Sequence, residues 1–242
     1  MTRPELQPQS RPRTPVLLNT RLDRGLLAYA SAAIAAGVGI LTLGQPAAAK
    51  IIYKPDHRAI DANSTVPFDV NGDGTVDFSF KDIATVTSFG GGGGALWITP
   101  AAHANEIWGH TRSGVGFASA LFAGVLVGPS PHFSAGTRNM AVSGSTRGLR
   151  PPLTSGPWVN VTNRYLGLKF MIKGKVHYGW ARLNVTASNM VVTGTLTGYA
   201  YETIPGKALR TGQKKSADQA NNARAKQATL GRLAQGAVGL EH

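Results

Sequence analysis

Apolar and polar positions alternate most clearly between residues 158 and 203. From Arg164 to Ile172 every second side chain is apolar, which is the period of a β-strand with one buried face. Lys173-Gly174 predicts a tight hairpin turn, and a second strand follows over residues 175–186. A turn at Ser188-Asn189 and a third strand over residues 190–203 complete a predicted antiparallel meander.

The faces of these strands predict where the aromatic rings lie. Strict alternation puts Val176, Tyr178, Trp180 and Arg182 together, and Thr193, Thr195, Thr197, Tyr199 and Tyr201 together. The rings of Tyr178, Trp180, Tyr199 and Tyr201 could then stack on sugars, but aromatic residues of central strands more commonly pack in a core. We therefore expect a core layer, with Arg164 and Arg182 pairing with Glu202 in the sheet.

Weaker patterns upstream predict further short strands at residues 51–53, 66–70, 76–80 and 83–86. Gly90–Gly94 is expected to be a flexible loop, and it lacks the Lys-Ser/Thr of a phosphate-binding loop. A short helix is expected near residues 101–108. The predicted fold is all-β: an antiparallel, jelly-roll-like β-sandwich over residues 50–206. A β-barrel would also satisfy the pattern.

The N-terminal segment predicts export. An arginine-rich stretch precedes an apolar run from Leu26 to Leu43, and Gly44-Gln45-Pro46 then leads to the small residues Ala47–Ala49. This order is typical of a signal peptide, here a helix within residues 1–49 that is cleaved between Ala49 and Lys50. A retained membrane anchor is the alternative, but an Ala/Gly-rich run before an Ala-x-Ala site favours cleavage and a secreted or cell-surface protein.

The distribution of charge along the chain limits the kinds of partner that we expect. The chain carries +13 and no cysteine. Five Arg against two acidic residues give +3 in residues 1–49, thirteen Lys/Arg against eight give +5 in residues 50–206, and seven against two give +5 in residues 207–242. Because the excess lies largely at the ends, we expect no specific nucleic-acid partner. Outside the cell, polysaccharide or envelope components are the expected anionic partners, with membrane contact only transient through the signal or the tail.

One turn has the composition of a cation site. Asp69, Asn71, Asp73, Thr75 and Asp77 present oxygen atoms at alternate positions, and Gly74 allows a sharp turn. Calcium takes such hard oxygen ligands, so the loop is a candidate structural calcium site, weaker than an EF-hand because no bidentate Glu follows. The alternative is an Asn/Asp/Gly turn with solvated carboxylates.

Catalytic signals are weak. His103, Glu106 and His110 are residue types that bind zinc, but their spacing is not that of His-Glu-x-x-His. No Gly-x-Ser-x-Gly occurs, and Glu106 and Glu202 are the only Glu residues of the predicted domain, although a glycosidase needs paired carboxylates. We therefore predict no catalytic residues and no cofactor other than calcium.

Several blocks resemble one group of proteins. They are residues 163–170, His177–Leu183, Gly198–Glu202 and Phe68–Gly74, together with the Leu/Ala/Gly-rich tail at residues 228–240. They resemble secreted bacterial proteins of unassigned function that carry PEP-CTERM-type sorting signals. The resemblance implies export, a β-sandwich and association with the envelope or matrix, and it implies no reaction. Residues 207–242 are expected to be a disordered linker ending in a degenerate sorting-like tail.

Two functions follow as hypotheses. The first is a non-catalytic exported protein of the cell envelope or extracellular matrix, associated with exopolysaccharide. The second is a secreted hydrolase acting on carbohydrate or ester, in which His103, Glu106 and His110 would converge in a cleft.

Overall fold

The computed structural model describes residues 49–86, 91–145 and 153–236. The predicted signal segment, apart from Ala49, and the last six residues lie outside this part of the chain. The described residues form β-strands and one helix, α1, at Ala217–Gly236. The strands are β1 Ile51–Ile60, β2 Thr65–Phe68, β3 Phe78–Val86, β4 Gly92–Pro100, β5 Glu106–Arg112, β6 Val115–Ala118, β7 Leu126–Val127, β8 Phe133–Ser134, β9 Arg138–Ser145, β10 Leu153–Ser155, β11 Val161–Ile172, β12 Lys175–Ser188, β13 Val191–Glu202 and β14 Leu209–Arg210.

The fold is all-β, as predicted. Ten strands follow one another in a single nearly closed sheet in the order β1-β13-β12-β11-β5-β6-β9-β4-β3-β2, with β10 beside β9 and β8 beside β5. β14 and β7 form a separate two-stranded sheet. Within the described residues, the strand pairings are antiparallel except the short contact of β6 with β9. The two runs expected at residues 76–80 and 83–86 belong to the single strand β3.

The predicted meander is confirmed. β11 pairs with β12, and β12 pairs with β13, both antiparallel. Lys173 and Gly174 have φ values of +49° and +73°, the left-handed conformation that a two-residue hairpin turn requires. The next turn is at Asn189-Met190 rather than at Ser188-Asn189, and both of its residues also have positive φ.

The central part of the meander is buried on both faces. On one face the main core contains residues of both halves of the sheet, including Phe68, Leu96, Leu168 and Leu183. On the other face Trp180 packs in a second core. Segments 119–134 and 204–213 cover this second core and contribute Val127, Phe133 and Leu209 to it; its other members are Ile51, Tyr165, Tyr178 and Ala200.

A β-bulge at Thr197 divides the predicted aromatic face. Arg182 pairs with Gly198 and Leu183 with Leu196, so Thr197 is the extra residue of β13. An extra residue reverses the phase of the alternation. Tyr199 and Tyr201 consequently lie on the main-core side, whereas Tyr178 and Trp180 of the neighbouring strand lie on the other side. The prediction of one aromatic face was wrong, and so was the single face assigned to β13.

The glycine run is not only a loop. Gly92–Gly94 belong to β4 and pair with β3 and β9. A Cβ on Gly94 would come within 2.7 Å of the Val192 amide nitrogen in β13. Glycine is therefore required here by the close approach of two backbones in opposite halves of the sheet.

Two further expectations were wrong. Residues 101–104 form a turn and β5 follows, so no helix forms near residues 101–108. Residues 207–236 are not a disordered linker, since they contain β14 and α1. Ser216 and Gln219 form a capping box at the start of α1, and the Gln219 side chain binds both backbone groups of Ile51. In the part of the chain that is described, no helix has both the length and the apolarity needed to cross a membrane.

The contact between β4 and β13 predicts a stability effect. Gly94→Ala should lower the free energy of unfolding by about 1–3 kcal/mol, because the new methyl group meets backbone atoms that cannot rotate away. Gly144→Ala is the matched control, since its Cβ would lie 3.5 Å from the nearest atom. It should be neutral or slightly stabilising. Urea unfolding measures both, and equal effects of the two substitutions would contradict the inferred close approach.

Candidate functional site

A cleft of about 360 Å³ opens beside the β11–β12 hairpin. Its lining combines cationic and aromatic side chains and contains no carboxylate: Ile172, Lys173, Lys175, His177, Tyr201, Thr203 and Pro205. The hairpin turn places the two lysines at the end of the sheet, and both are exposed. We call this feature the basic cleft.

His177 is buried in the wall of the basic cleft, and its orientation is fixed. Its Nδ1 lies 2.9 Å from the carbonyl oxygen of Glu202. A carbonyl only accepts, so Nδ1 carries the hydrogen and Nε2 is the ring's other polar atom. Nε2 can therefore accept a hydrogen bond from a hydroxyl group, or donate one when the imidazole is charged.

The Glu202 carboxylate is engaged elsewhere. It is almost fully buried and accepts a hydrogen bond from the Ile204 amide at 3.0 Å, while the Lys207 ammonium lies 3.9 Å away. Arg182 bonds instead to Thr197. The predicted pairing of Arg164 and Arg182 with Glu202 was therefore wrong.

Tyr201 supplies the aromatic surface of the cleft. Its ring is half-buried and meets the ring of Phe170 edge-on at 5.8 Å between centroids. Burial raises the pKa of Tyr201, and the charges of Asp69 and Asp73 raise it further. Both carboxylates belong to the loop that follows β2.

That loop, residues 69–77, which we call the acidic loop, is built by its own polar side chains. Asp69 accepts hydrogen bonds from the amides of Gly72 and Gly74 at 2.7 and 2.8 Å. Asn71 accepts from the Asp73 amide, and Asp73 accepts from the Thr75 amide. The Thr75 amide is the largest of the influences that lower the pKa of Asp73. Such turns shape a loop without any metal.

Asp77 closes the acidic loop from inside the protein. Its side chain is buried and accepts a hydrogen bond from the Val70 amide at 2.9 Å. Burial, with smaller contributions from the charges of Asp69 and Asp73, raises the pKa of Asp77 to about 6. The loop therefore brings three carboxylates together closely enough to repel one another.

The predicted calcium ligands thus share one loop, and their oxygen atoms are of the type that calcium binds. Among the residues described, no group of three or more His, Cys, Asp or Glu side chains is arranged to hold a metal ion. Lys54 also approaches the loop, because a Cβ on Gly72 would come within 2.5 Å of its Nζ. Calcium binding stays a prediction.

The candidate zinc residues do not converge. Glu106 forms an ion pair with Lys169 at 2.8 Å, whereas His110 lies beside Ser119, with 3.3 Å between Nδ1 and Oγ. Both are on β5, where four residues span about 13 Å. His103 is exposed in the turn before β5. His110 lines a different, smaller cleft of about 250 Å³.

Sequence reasoning missed the basic cleft. The sequence pattern indicates only a turn at Lys173, and His177 enters only as the first residue of a block that resembles other proteins. The available signal was the density of Lys and His around a hairpin next to an aromatic strand. The alternation of apolar and polar residues gave no sign of the bulge at Thr197, which turns Tyr201 to the same side of the sheet as His177.

The buried carboxyl group of Asp82 on β3 predicts that the stability of the fold depends on pH. Asp82 is 2% exposed; one of its oxygens accepts from the Asn63 amide at 3.2 Å, and the other is buried without a partner. Burial raises the pKa of Asp82 to about 6 from 3.8. The folded state therefore binds this proton more tightly than the unfolded state, and stability decreases as the pH rises from about 4 to about 6.

Asp82→Asn removes that titration. Relative to the wild type, the variant should gain about 2 kcal/mol between pH 4 and pH 7, whatever constant offset the amide introduces. The exposed Asp61 provides the control, and Asp61→Asn should show no such trend. Denaturant unfolding at several pH values measures the difference, and a constant difference across this window would contradict the interpretation.

Comparison with known proteins gives no match: no protein-family model, no curated protein and no solved structure corresponds to this chain.

Proposed function

We propose that this protein is a non-catalytic, exported protein of the cell envelope or extracellular matrix whose basic cleft binds acidic polysaccharide. The observation that carries the proposal is the lining of the cleft, which joins two exposed lysines and a histidine to a tyrosine ring without any carboxylate. Export rests on the predicted signal segment and on the resemblance to secreted proteins with PEP-CTERM-type sorting signals.

The chemistry of the lining selects for uronate-like groups. Lysine ammonium groups attract the carboxylates of acidic sugars, and Nε2 of His177 is suited to a sugar hydroxyl. An aromatic ring such as that of Tyr201 offers an apolar surface to the C–H face of a sugar. A neutral glucan would use the ring but would leave both cations without a partner.

The fold suits a binding module. We propose that the nearly closed sheet is best described as a jelly-roll-like β-sandwich, because the main core lies between its two halves and Gly94 contacts β13 across it. Such a packed body holds a surface cleft in a fixed shape. The secreted hydrolase receives less support, since His103, Glu106 and His110 lie apart.

Removing the cleft's charge should weaken binding. Lys173→Gln and Lys175→Gln together should lower the affinity for polygalacturonate roughly tenfold at low salt, at about threefold for each exposed charge pair. Affinity electrophoresis or calorimetry measures the change, and added salt should reduce the affinity of the wild type.

Lys81→Gln is the matched control, because Lys81 is exposed on β3 and does not line the cleft. A loss for Lys81→Gln as large as that for Lys173→Gln alone or for Lys175→Gln alone would mean that the attraction comes from net charge alone. Binding of uncharged dextran as tightly as polygalacturonate would also contradict the proposal.

We further propose that the acidic loop binds calcium as a structural reinforcement. An ion among Asp69, Asp73 and Asp77 would relieve the repulsion that contributes to the raised pKa of Asp77. The ammonium group of Lys54, which lies against Gly72, would have to move away from the loop to make room for the ion.

Calcium should therefore stabilise the fold. At a hundredfold excess over its dissociation constant it should raise the free energy of unfolding by about 2–3 kcal/mol. Asp69→Asn should abolish this calcium-dependent increment, while Asp61→Asn should retain it. Thermal unfolding with calcium or with a chelator measures the increment. If the wild type shows no increment, the proposal is contradicted and the acidic loop is a hydrogen-bonded turn without an ion.

A further inference from the structure

An apolar tip is exposed at the surface and is separate from the residues that line the basic cleft. It consists of Phe122 and Leu126, in the segment that leads from β6 into β7, and their side chains are 67% and 52% exposed. Exposed large apolar side chains that occur together mark interaction sites more often than single ones do. Neither residue lines the basic cleft or belongs to either core.

The exposure of the tip is imposed by the fold. The buried Thr211 hydroxyl donates to the Phe122 carbonyl at 2.7 Å and accepts from the Val125 amide at 2.9 Å. The Thr211 backbone also exchanges hydrogen bonds with Gly124 and Val125. These four contacts fasten both sides of the tip to the segment around β14, so its apolar side chains are held outward.

Arginines surround the tip. The guanidinium carbon of Arg164 lies 3.4 Å from the centre of the Phe122 ring. Arg210 pairs with Leu126 in the β7–β14 ladder, so their side chains share a face, and it donates to the Gly124 carbonyl at 2.8 Å. Within the described residues, neither arginine forms an ion pair with a carboxylate.

The chain segments that contain and hold the tip carry charge of one sign. Segment 204–216 contains Lys207, Arg210, Lys214 and Lys215 and no acidic residue, and segment 119–134 contains no acidic residue. Apolar side chains beside two arginines are complementary to a surface that is apolar inside and anionic outside. An anionic lipid bilayer has both properties.

We propose that this tip docks the domain on anionic lipid. Phe122 and Leu126 enter the boundary between headgroups and acyl chains, while Arg164 and Arg210 remain at the level of the lipid phosphates. A hydrated acidic polysaccharide would satisfy the arginines but offers no apolar phase for Leu126. Two side chains bury little area, so the docking is reversible and depends on the charge.

The cysteine-free sequence allows a local test in the full chain. Leu126→Cys carries an environment-sensitive fluorophore, and its emission is recorded with vesicles of phosphatidylcholine alone or mixed with phosphatidylglycerol. The emission should shift to the blue with the mixed vesicles only. Because the label reports its own surroundings, binding through the N-terminal segment or the tail does not imitate this signal.

Leu153→Cys is the matched control, since Leu153 is a still more exposed leucine on β10, and its label should not shift. Arg210→Gln in the labelled Leu126→Cys chain should weaken the response to mixed vesicles about fivefold, whereas Lys81→Gln should leave it unchanged. The proposal fails if Leu126 and Leu153 labels shift equally, if neutral vesicles act as well as mixed ones, or if polygalacturonate shifts the Leu126 label and vesicles do not.

Discussion

The bond network between Arg182 and Thr197 is the interaction on which the proposed site depends. Thr197 is the extra residue of β13, so its polar groups fall outside the regular ladder. Arg182 donates to its hydroxyl at 2.8 Å and to its carbonyl at 3.0 Å, and the hydroxyl donates back to the Arg182 carbonyl at 3.1 Å. Gly198, at φ +147°, makes the adjoining backbone turn. The hydroxyl and the carbonyl of Thr197 thus both have partners at a position where a polar group without one would cost stability.

The bulge determines the direction of every side chain that follows it on β13. It turns Tyr199 onto Phe68 in the main core and Tyr201 toward Phe170 and the basic cleft. It also separates these tyrosines from Tyr178 and Trp180, which fill the second core under segments 119–134 and 204–213. One extra residue therefore supplies the ring of the cleft, and segment 119–134, which covers the other face of the sheet, contains the apolar tip.

The predictable parts of the fold were those in which local chemistry decides the structure. The hairpin at Lys173-Gly174 follows from residues that accept positive φ, and the alternating residues Leu166, Leu168 and Phe170 of β11 all belong to the main core. The bulge was not predictable, because strict alternation continues through Thr197 in the sequence and only pairing with Arg182 breaks it. The prediction of a loop at Gly92–Gly94 was wrong for a related reason. A glycine run is typical of a loop, and only the position of β13 shows that this part of β4 has no room for side chains.

The candidate site divides in the same way. The acidic loop is local, so the positions of Asp69, Asn71 and Asp73 in one turn were predictable, whereas the burial of Asp77 depends on packing. The basic cleft joins a hairpin to the end of the next strand, and His177 and Tyr201 are 24 residues apart. Likewise α1 is held by contacts with β1, and β14 by pairing with β7. Composition alone made residues 207–236 look disordered because those contacts are tertiary.

We propose above all that the basic cleft is the site that receives acidic polysaccharide. Nuclear magnetic resonance titration with short galacturonate oligomers tests this proposal most directly, because each residue reports separately. We expect saturable shifts of the Lys173, Lys175, His177 and Tyr201 signals, while those of Phe122 and Lys81 stay unchanged. Shifts spread over all exposed lysines, or centred on Arg164 and Arg210, would contradict it.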